Sequence, residues 1–327
     1  MTSLAQSVAL TDRPIVSKYS MAGEILEGLR ANPKRIAPKY FYDATGSKLF
    51  DKITEQPEYY PTRTEIGILR DNAAAIAAFI PSGSAIVEFG SGYSGKIRIL
   101  LDAMQSPDAI YVPVDICASV VEDETVRMRR DFPGLIMHPV NADFSRPFDL
   151  PEPALKAASR VGFFPCSTIG NFEPHQAAAF FRQAGQTLGP NSTLIIGVDL
   201  IKPTEILRAA YNDAAGYTAK FNLNLLTRIN RELGANFLLQ QFEHHAFYNR
   251  ERNRIEMHLA SLKRQKVKVS GEIIDFRAGE TIHTENSYKY SVESFGALAR
   301  GNGWTPLATW KDADHLFSVQ AFSFRAP

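Results

Sequence analysis

Cysteine is nearly absent from this chain. Of 327 residues only Cys117 and Cys166 carry a thiol, too few for a disulfide framework or a four-ligand zinc site. An excess of one charge is missing too. Lys and Arg number 36 against 35 Asp and Glu, a formal net charge of +1, so no nucleic-acid partner is expected. No run of about 18 apolar residues occurs, so no membrane partner is expected. The opening stretch MTSLAQSVALTDRP has no basic segment followed by an apolar one, which predicts a cytoplasmic protein. There is no internal repeat, no G-x-S-x-G turn and no H-E-x-x-H motif. His244 and His245 are adjacent and face opposite ways on a strand, while His258 and His283 stand isolated in the sequence. No metal is expected, and a monomer is.

What is present describes an ordinary globular protein: 45% hydrophobic and 22% charged residues. The length suits two domains, or one with a large insertion. Residues 1–20 read as a loose start, and 22–31 as a helix. Residues 39–65 are rich in Tyr and Phe and read as turns and short helices, followed by a helix from about Arg63 to Phe79. From Ala85 apolar runs alternate with helical stretches. Strands are predicted over 85–89, 111–114, 135–140, 161–164 and 193–198, and helices over 96–104, 118–132 and 174–188. That alternation predicts a doubly wound parallel sheet. Beyond Lys202-Pro203 it breaks. Residues 204–233 read as helical, 241–283 as several antiparallel strands, 291–300 as a helix and 317–324 as a terminal strand. The expected division is one domain of 63–202 plus 290–327 and an inserted α+β domain of 11–62 plus 203–289.

Gly90-Ser91-Gly92-Tyr93-Ser94-Gly95 follows the first strand of the sheet and precedes a helix. Glycines there allow a tight turn and close approach of a ligand to the backbone. The pattern alone suits NAD or FAD. Three details favour S-adenosylmethionine (SAM). Glu88 completes an E-x-G-x-G order. Asp115 ends the next strand, where an acid binds ribose hydroxyls, although both cofactor classes share that acid. Asp143-Phe144 ends the third strand, where a carboxylate can accept from an adenine amino group beside a covering ring. Carboxylates near the turn suit a sulfonium cation better than a pyrophosphate.

The strings KYFYDATGSKLFD (39–51), PEYYPTRTE (57–65), VEFGSGYSGK (87–96), STIGNF (167–172), AYNDAAGYTAKFN (210–222), RIEMHL (254–259) and TENSYKY (284–290) resemble the histidine Nα-methyltransferases of ergothioneine biosynthesis. The resemblance runs from about residue 39 to 290. It implies a Rossmann-like class I methyltransferase sheet with an inserted substrate-binding domain. The implied activity is transfer of three methyl groups from SAM to the α-amine of L-histidine, giving hercynine. It also implies roles. Gly90, Gly92, Lys96, Asp115, Asp143 and Phe144 would bind SAM, with Lys96 on its methionyl carboxylate. Asn171 and Tyr211 would hold the substrate carboxylate. Tyr59, Glu285 and Ser287 would read the imidazole, Met257 would line its pocket, and Tyr42 would lie near the amine.

The chemistry suits those residue types. Methyl transfer from a sulfonium is an in-line displacement that needs alignment rather than a covalent nucleophile. A water held by Tyr42 or Tyr59 could carry the amine proton, so these two are the candidate catalytic residues. Tyrosine faces tolerate a quaternary ammonium product, and Tyr40, Tyr42, Tyr59 and Tyr60 cluster in sequence. Glu285 and Ser287, two apart on an extended segment, point the same way. Glu285 favours an imidazole N–H and could hold the ring protonated. Cys166 stands where relatives carry Gly before STIGN and reads as a small buried residue. Two other readings remain open here: an N-methyltransferase for another amino acid such as tryptophan, and a non-catalytic SAM or dinucleotide-binding module.

Overall fold

The computed structural model describes residues 20–92, 95–104 and 109–325. The expected loose start, apart from Ser20, lies outside the described residues, as do Tyr93 and Ser94 of the glycine turn.

Helix α1 (Met21–Arg30) starts where the Ser20 side chain accepts from the Gly23 N–H. Strand β1 (Lys34–Arg35) and a 3₁₀ turn (Pro38–Phe41) lead to α2 (Ala44–Thr54). The helix expected over 63–79 is two, α3 (Tyr60–Asp71) and α4 (Ala73–Ala77). Asn72 interrupts it, its side-chain amide donating to the Ile68 carbonyl at 2.9 Å; such local bonding competes with the helix ladder. Next come β2 (Ser84–Phe89), α5 (Lys96–Ala103), β3 (Ile110–Asp115), α6 (Ala118–Asp131), β4 (Ile136–Met137) and β5 (Val140–Asn141). The strand expected over 135–140 is thus two fragments, because Pro139 between them has no N–H for the ladder. After α7 (Glu152–Leu155), β6 (Ser159–Phe164), α8 (Pro174–Leu188) and β7 (Thr193–Asp199), the stretch expected to be helical over 204–233 divides into α9 (Thr204–Ala210) and α10 (Tyr217–Leu233). Gly216, left-handed at φ 70°, separates them. Strands β8 (Phe242–Asn249), β9 (Arg254–Ser261), β10 (Gln265–Val269), β11 (Glu272–Phe276) and β12 (Thr281–Tyr288) precede α11 (Val292–Arg300), β13 (Trp304–Lys311) and β14 (Phe317–Phe324).

The large sheet runs in the order β13-β14-β7-β6-β2-β3-β4, with β5 also on β3. Strands β2 to β7 are parallel. β14 returns antiparallel beside β7, and β13 is antiparallel to β14. One reversed strand set between two of the parallel direction is the class I methyltransferase arrangement of the Rossmann-like sheet. β13 escaped the sequence reading: it is a mostly exposed edge carrying Pro306, with little alternation to detect. Both faces of the sheet are covered, as parallel strands require. Phe89, Phe164, Phe180, Phe181, Trp304 and Phe322 pack one side. Ile86, Tyr111, Phe163, Ile195 and Phe317 pack the other with Ile68 and Leu69 of α3.

A second sheet, ordered β1-β12-β9-β8, has its own core. Phe221, Leu225 and Ile229 of α10 meet Ile255, Met257 and Leu259 of β9 there. Among the described residues, backbone hydrogen bonds link the two sheets beside Asp199. The Tyr290 N–H donates to the Asp199 carbonyl and the Ile201 N–H to the Tyr290 carbonyl, each at 3.1 Å. The strands of the large sheet therefore lie within 84–199 and 304–324, and those of the second sheet at 34–35 and 242–288. Among the described residues no helix is long and apolar enough to cross a membrane.

One glycine of the large sheet supports the site directly. A Cβ on Gly197 would collide with Glu65 Oε1 and crowd Phe317 at 3.1 Å. Gly197→Ala is expected to lower stability by about 1–3 kcal/mol, the usual cost of overpacking. Thermal denaturation checks it; an unchanged melting temperature would mean Glu65 can move aside freely.

Candidate active site

A cavity of about 790 Å³ lies above the carboxyl end of the large sheet and reaches the second one. Its walls include Tyr42, Tyr59, Gly90, Gly92, Lys96, Asp115, Asp143, Phe144, Asn171, Tyr211, Met257, Glu285 and Ser287. All thirteen residues given a binding or catalytic role in the sequence line it, whereas Tyr40 and Tyr60 of the tyrosine cluster do not; their hydroxyls donate to Glu24 and Asp199.

The cofactor-side wall is the glycine turn. Gly90 is left-handed at φ 73°, and a Cβ on it would sit 3.3 Å from the Phe144 ring, so turn and ring fit only without a side chain. Asp115 holds the turn by accepting from the Gly92 N–H at 3.1 Å and from the Cys117 N–H at 3.0 Å. Burial raises its pKa, offset in part by those N–H groups. Asp143 accepts from Lys39 Nζ at 3.1 Å and from the Ser145 N–H at 3.0 Å. Burial pushes its pKa up, but the bonds from Ser145 and the charge of Lys39 more than offset this and lower it. Lys96 is buried, with Nζ 2.5 Å from Glu65 Oε2 and 2.9 Å from Cys166 Sγ. Burial opposes its charge, but the Cys166 sulfur and Glu65 outweigh it, so the pKa rises. Cys166 is left-handed at φ 68° and on the cavity wall, not a buried filler. Glu88 does not reach the cavity; it is buried on β2 and accepts from the Tyr111 hydroxyl.

On the substrate side, a bulge in β12 does the aiming. The β9–β12 register shifts between His283 and Glu285. The extra residue, Thr284, donates to Asn222 Oδ1 at 2.8 Å. Bulges re-aim side chains in this way. His283 faces outward opposite His258, while Glu285 and Ser287 face inward beside Met257 and Ile255. Asn286 points the other way, its amide donating to Glu173 at 3.1 Å. Asn171 reaches this wall because a Cβ on Gly170 would come within 2.9 Å of the Tyr288 carbonyl; the STIGN loop lies directly on β12. Asn171 Nδ2 is 3.3 Å from Glu285 Oε1. Burial raises the Glu285 pKa to about 8, against a lowering pull from Lys289.

The aromatic residues form a belt of edge-on contacts. Tyr42 meets Phe50 and Phe221, Phe50 meets Tyr59, and Tyr59 meets Tyr211, at centroid distances of 5.8–6.3 Å. The segment carrying Tyr42 is fixed by Asp43, which caps α2 and accepts from Asn224 at 3.0 Å and Arg231 at 2.7 Å on α10. Burial and the nearby Glu285 charge hold the Tyr42 pKa well above the ordinary phenol value; Tyr59 is raised for the same first reason.

Several residues of the site escaped the sequence reading. Glu65, Phe50 and Phe221 have no motif value of their own. Asp199 ends β7 and sits 2.6 Å from Lys289 Nζ and 2.5 Å from Lys202 Nζ. The Tyr60 hydroxyl donates to it as well, at 2.7 Å. Asp199 was visible only as a strand end, with its lysine partner 90 residues later.

His258 and His283, isolated in sequence, are brought together by the β9–β12 pairing. Their rings stack at 4.7 Å, and Glu256, His258 and His283 offer ligand atoms within 4.8 Å of one another. The rings meet by their faces, and His258 directs its nitrogens to Thr281 and Glu256. None of the three lines the cavity.

Comparison with known proteins follows this geometry. A family profile described as histidine-specific methyltransferase, SAM-dependent, matches residues 21–324. The histidine N-alpha-methyltransferase of Mycolicibacterium smegmatis is 42% identical over 294 residues, 88% of this chain and 90% of that protein. The protein of the same name from Mycobacterium tuberculosis is 39% identical over the same shares. Ergothioneine biosynthesis protein 1 of Neurospora crassa is 30% identical over 95% of this chain, which spans 36% of that longer protein. The chain belongs to the histidine-specific, SAM-dependent methyltransferase family.

Proposed function

We propose that this protein transfers methyl groups from SAM to the α-amine of L-histidine, three in succession, giving hercynine. The observation that carries the reading is one cavity lined both by the glycine turn and by Glu285, Ser287, Asn171 and Tyr211. The turn fits SAM: Gly90 keeps the backbone bare beside Phe144, where a Cβ would crowd the ring, and the buried Ser91 hydroxyl on the cavity wall has no partner among the described residues. When bound, SAM supplies a methyl group on a cationic sulfur. Asp115 would take its ribose hydroxyls, and Lys96, held by Glu65, its carboxylate. Asp143 and Phe144 would take its adenine.

Asn171 and Tyr211 would hold the histidine carboxylate, and Glu285 and Ser287 its ring against Met257. Four anchors on one amino acid fix the amine in line with the methyl, an alignment effect on the order of 7–11 kcal/mol when complete. A histidine amine has a pKa near or above about 8, so each turnover begins by shedding a proton. Tyr42 and Tyr59 remain phenols at neutral pH, so they would hold the amine or a water by hydrogen bonds rather than act as resting bases. Faces of the tyrosine and phenylalanine rings in the belt would accommodate the growing cation. We also assign the sheet-forming segments 63–202 and 290–327 to a cofactor domain and 11–62 with 203–289 to a substrate domain. The separate core on α10 and β9 supports that division.

The test is incubation of the protein with SAM and an equimolar amino-acid mixture, read by mass spectrometry. A gain of three methyl groups on histidine alone is expected. Gain on tryptophan instead would overturn the substrate, and unconsumed SAM would overturn the enzyme reading.

A further inference from the structure

The buried Lys289 ammonium has three protons and three partners. Its Nζ lies 2.6 Å from Asp199 Oδ2, 2.6 Å from Ser287 Oγ and 3.2 Å from the Tyr211 hydroxyl. The lysine side chain is fully buried, and Asp199 nearly so. An ammonium donates and never accepts. Neither hydroxyl can therefore spend its own hydrogen on Lys289.

Ser287 and Tyr211 are also bonded to each other at 2.6 Å. The pair owns two hydroxyl hydrogens and uses one between them. Tyr211 and Lys289 both donate to Ser287 Oγ, so the other hydrogen, on Ser287, is left for a ligand in the cavity that Ser287 lines. When a ligand offers two acceptors, the mutual bond can exchange, and both hydroxyls then donate to it while Lys289 keeps hold of both oxygens. Across the ring site stands Glu285, whose carboxyl accepts an N–H. The charges agree. One carboxylate, Asp199, sits between two ammoniums, Lys289 and Lys202, so this corner has surplus positive charge. It suits a carboxylate and disfavours a second cation.

We infer that Lys289 is a positioning residue that makes the Ser287–Tyr211 pair donate only toward the ligand. The pocket then selects a neutral azole side chain, with a lone pair toward Ser287 and an N–H toward Glu285. This deepens the histidine reading and rests on it. It also reverses the expectation that Glu285 holds the ring protonated.

Two measurements test it. First, kcat/KM is compared for histidine and β-(2-thienyl)alanine, which has the ring shape but neither an N–H nor a nitrogen lone pair. Lys289→Met is expected to shrink the preference for histidine at least about tenfold, the size of one misdirected buried hydrogen bond. The loss should fall on the histidine KM, with kcat changed little. Lys289→Arg, which retains N–H donors, should restore much of the preference. If Lys289→Met slowed both substrates equally, or changed only the melting temperature, the lysine would be structural and the inference wrong. Second, and without any variant, ring-¹⁵N histidine bound to the native protein with S-adenosylhomocysteine should give one pyridine-type and one pyrrole-type nitrogen signal. Two pyrrole-type signals, those of an imidazolium, would overturn it. A native protein that bound and methylated no histidine would defeat the proposed function instead, a different outcome from either of these.

Discussion

Asp115→Ala should weaken SAM binding by about 10²-fold or more and, by freeing two N–H groups of the turn, lower the melting temperature of the unliganded protein modestly. Asp115 has two tasks. Its oxygens accept from the Gly92 and Cys117 N–H groups, which fixes the turn against the end of β3. Their remaining lone pairs face the cavity. Two hydrogen bonds from ribose hydroxyls to a charged acceptor contribute about 1.5–3 kcal/mol each, which sets the expected size. Asp115→Asn keeps one carbonyl acceptor and should lose less. Titration calorimetry with SAM or S-adenosylhomocysteine checks both. If the alanine variant bound SAM as tightly as the native protein, the ribose site would lie elsewhere on the cavity wall.

Glu285→Gln should separate binding from stability in opposite directions. For histidine, kcat/KM is expected to drop about 10²-fold or more, because the Asn171 amide donor keeps the glutamine oxygen and so turns the glutamine N–H toward the ring N–H, leaving both unpaired. For the unliganded protein the variant should be more stable at high pH. The sign follows from the raised pKa, about 8 against an ordinary 4.5. A carboxyl that is easier to protonate when folded favours folding in its neutral form. That advantage is complete below about pH 4 and is lost as pH rises toward 8. Glutamine cannot ionise and escapes the loss. The two proteins should melt alike near pH 4.5 and diverge up to about pH 8, then run parallel. The gap should reach about 1–3 kcal/mol after allowance for water reaching the cavity wall. Parallel melting curves across that range would show that the Glu285 carboxyl ionises as freely in the folded protein as in the unfolded one.

How much of this was legible in the sequence depends on the range of the interactions involved. The central parallel strands were readable because they are buried on both faces and show as apolar runs, as in Ser84–Phe89 and Thr193–Asp199, whereas the short edge strands β4 and β5 are not. The thirteen candidate residues could be picked out because their strings resemble a family, and all of them line the cavity. What was hidden depends on pairing across the fold. The bulge at Thr284 turns His283 out and Glu285 in, and a plain alternation would have put both on one face. Asp199 and Lys289 meet only because the ends of β7 and β12 are bonded together. The stacking of His258 on His283 follows from strand register, which no local signal in either segment carries. Helix breaks at Asn72 and at Gly216 were missed because the flanking residues favour helix on both sides.

The join at Tyr290 makes the cavity asymmetric in how it can open. On that side the two halves share backbone hydrogen bonds and the buried Asp199–Lys289 pair. Across the cavity the contacts are between side chains: Lys39 pairs with Asp143 at 3.1 Å and with Glu24 at 2.8 Å, and Arg146 pairs with Glu24 at 2.6 Å. These groups are partly exposed, and such ion pairs are weak and weakened further by salt. This arrangement would let the enclosure hinge along Tyr290 and unlatch at Lys39. Ionic strength should therefore act on the latch, letting ligands in and out faster in salt, while the hinge keeps Ser287 and Asp199 in register throughout.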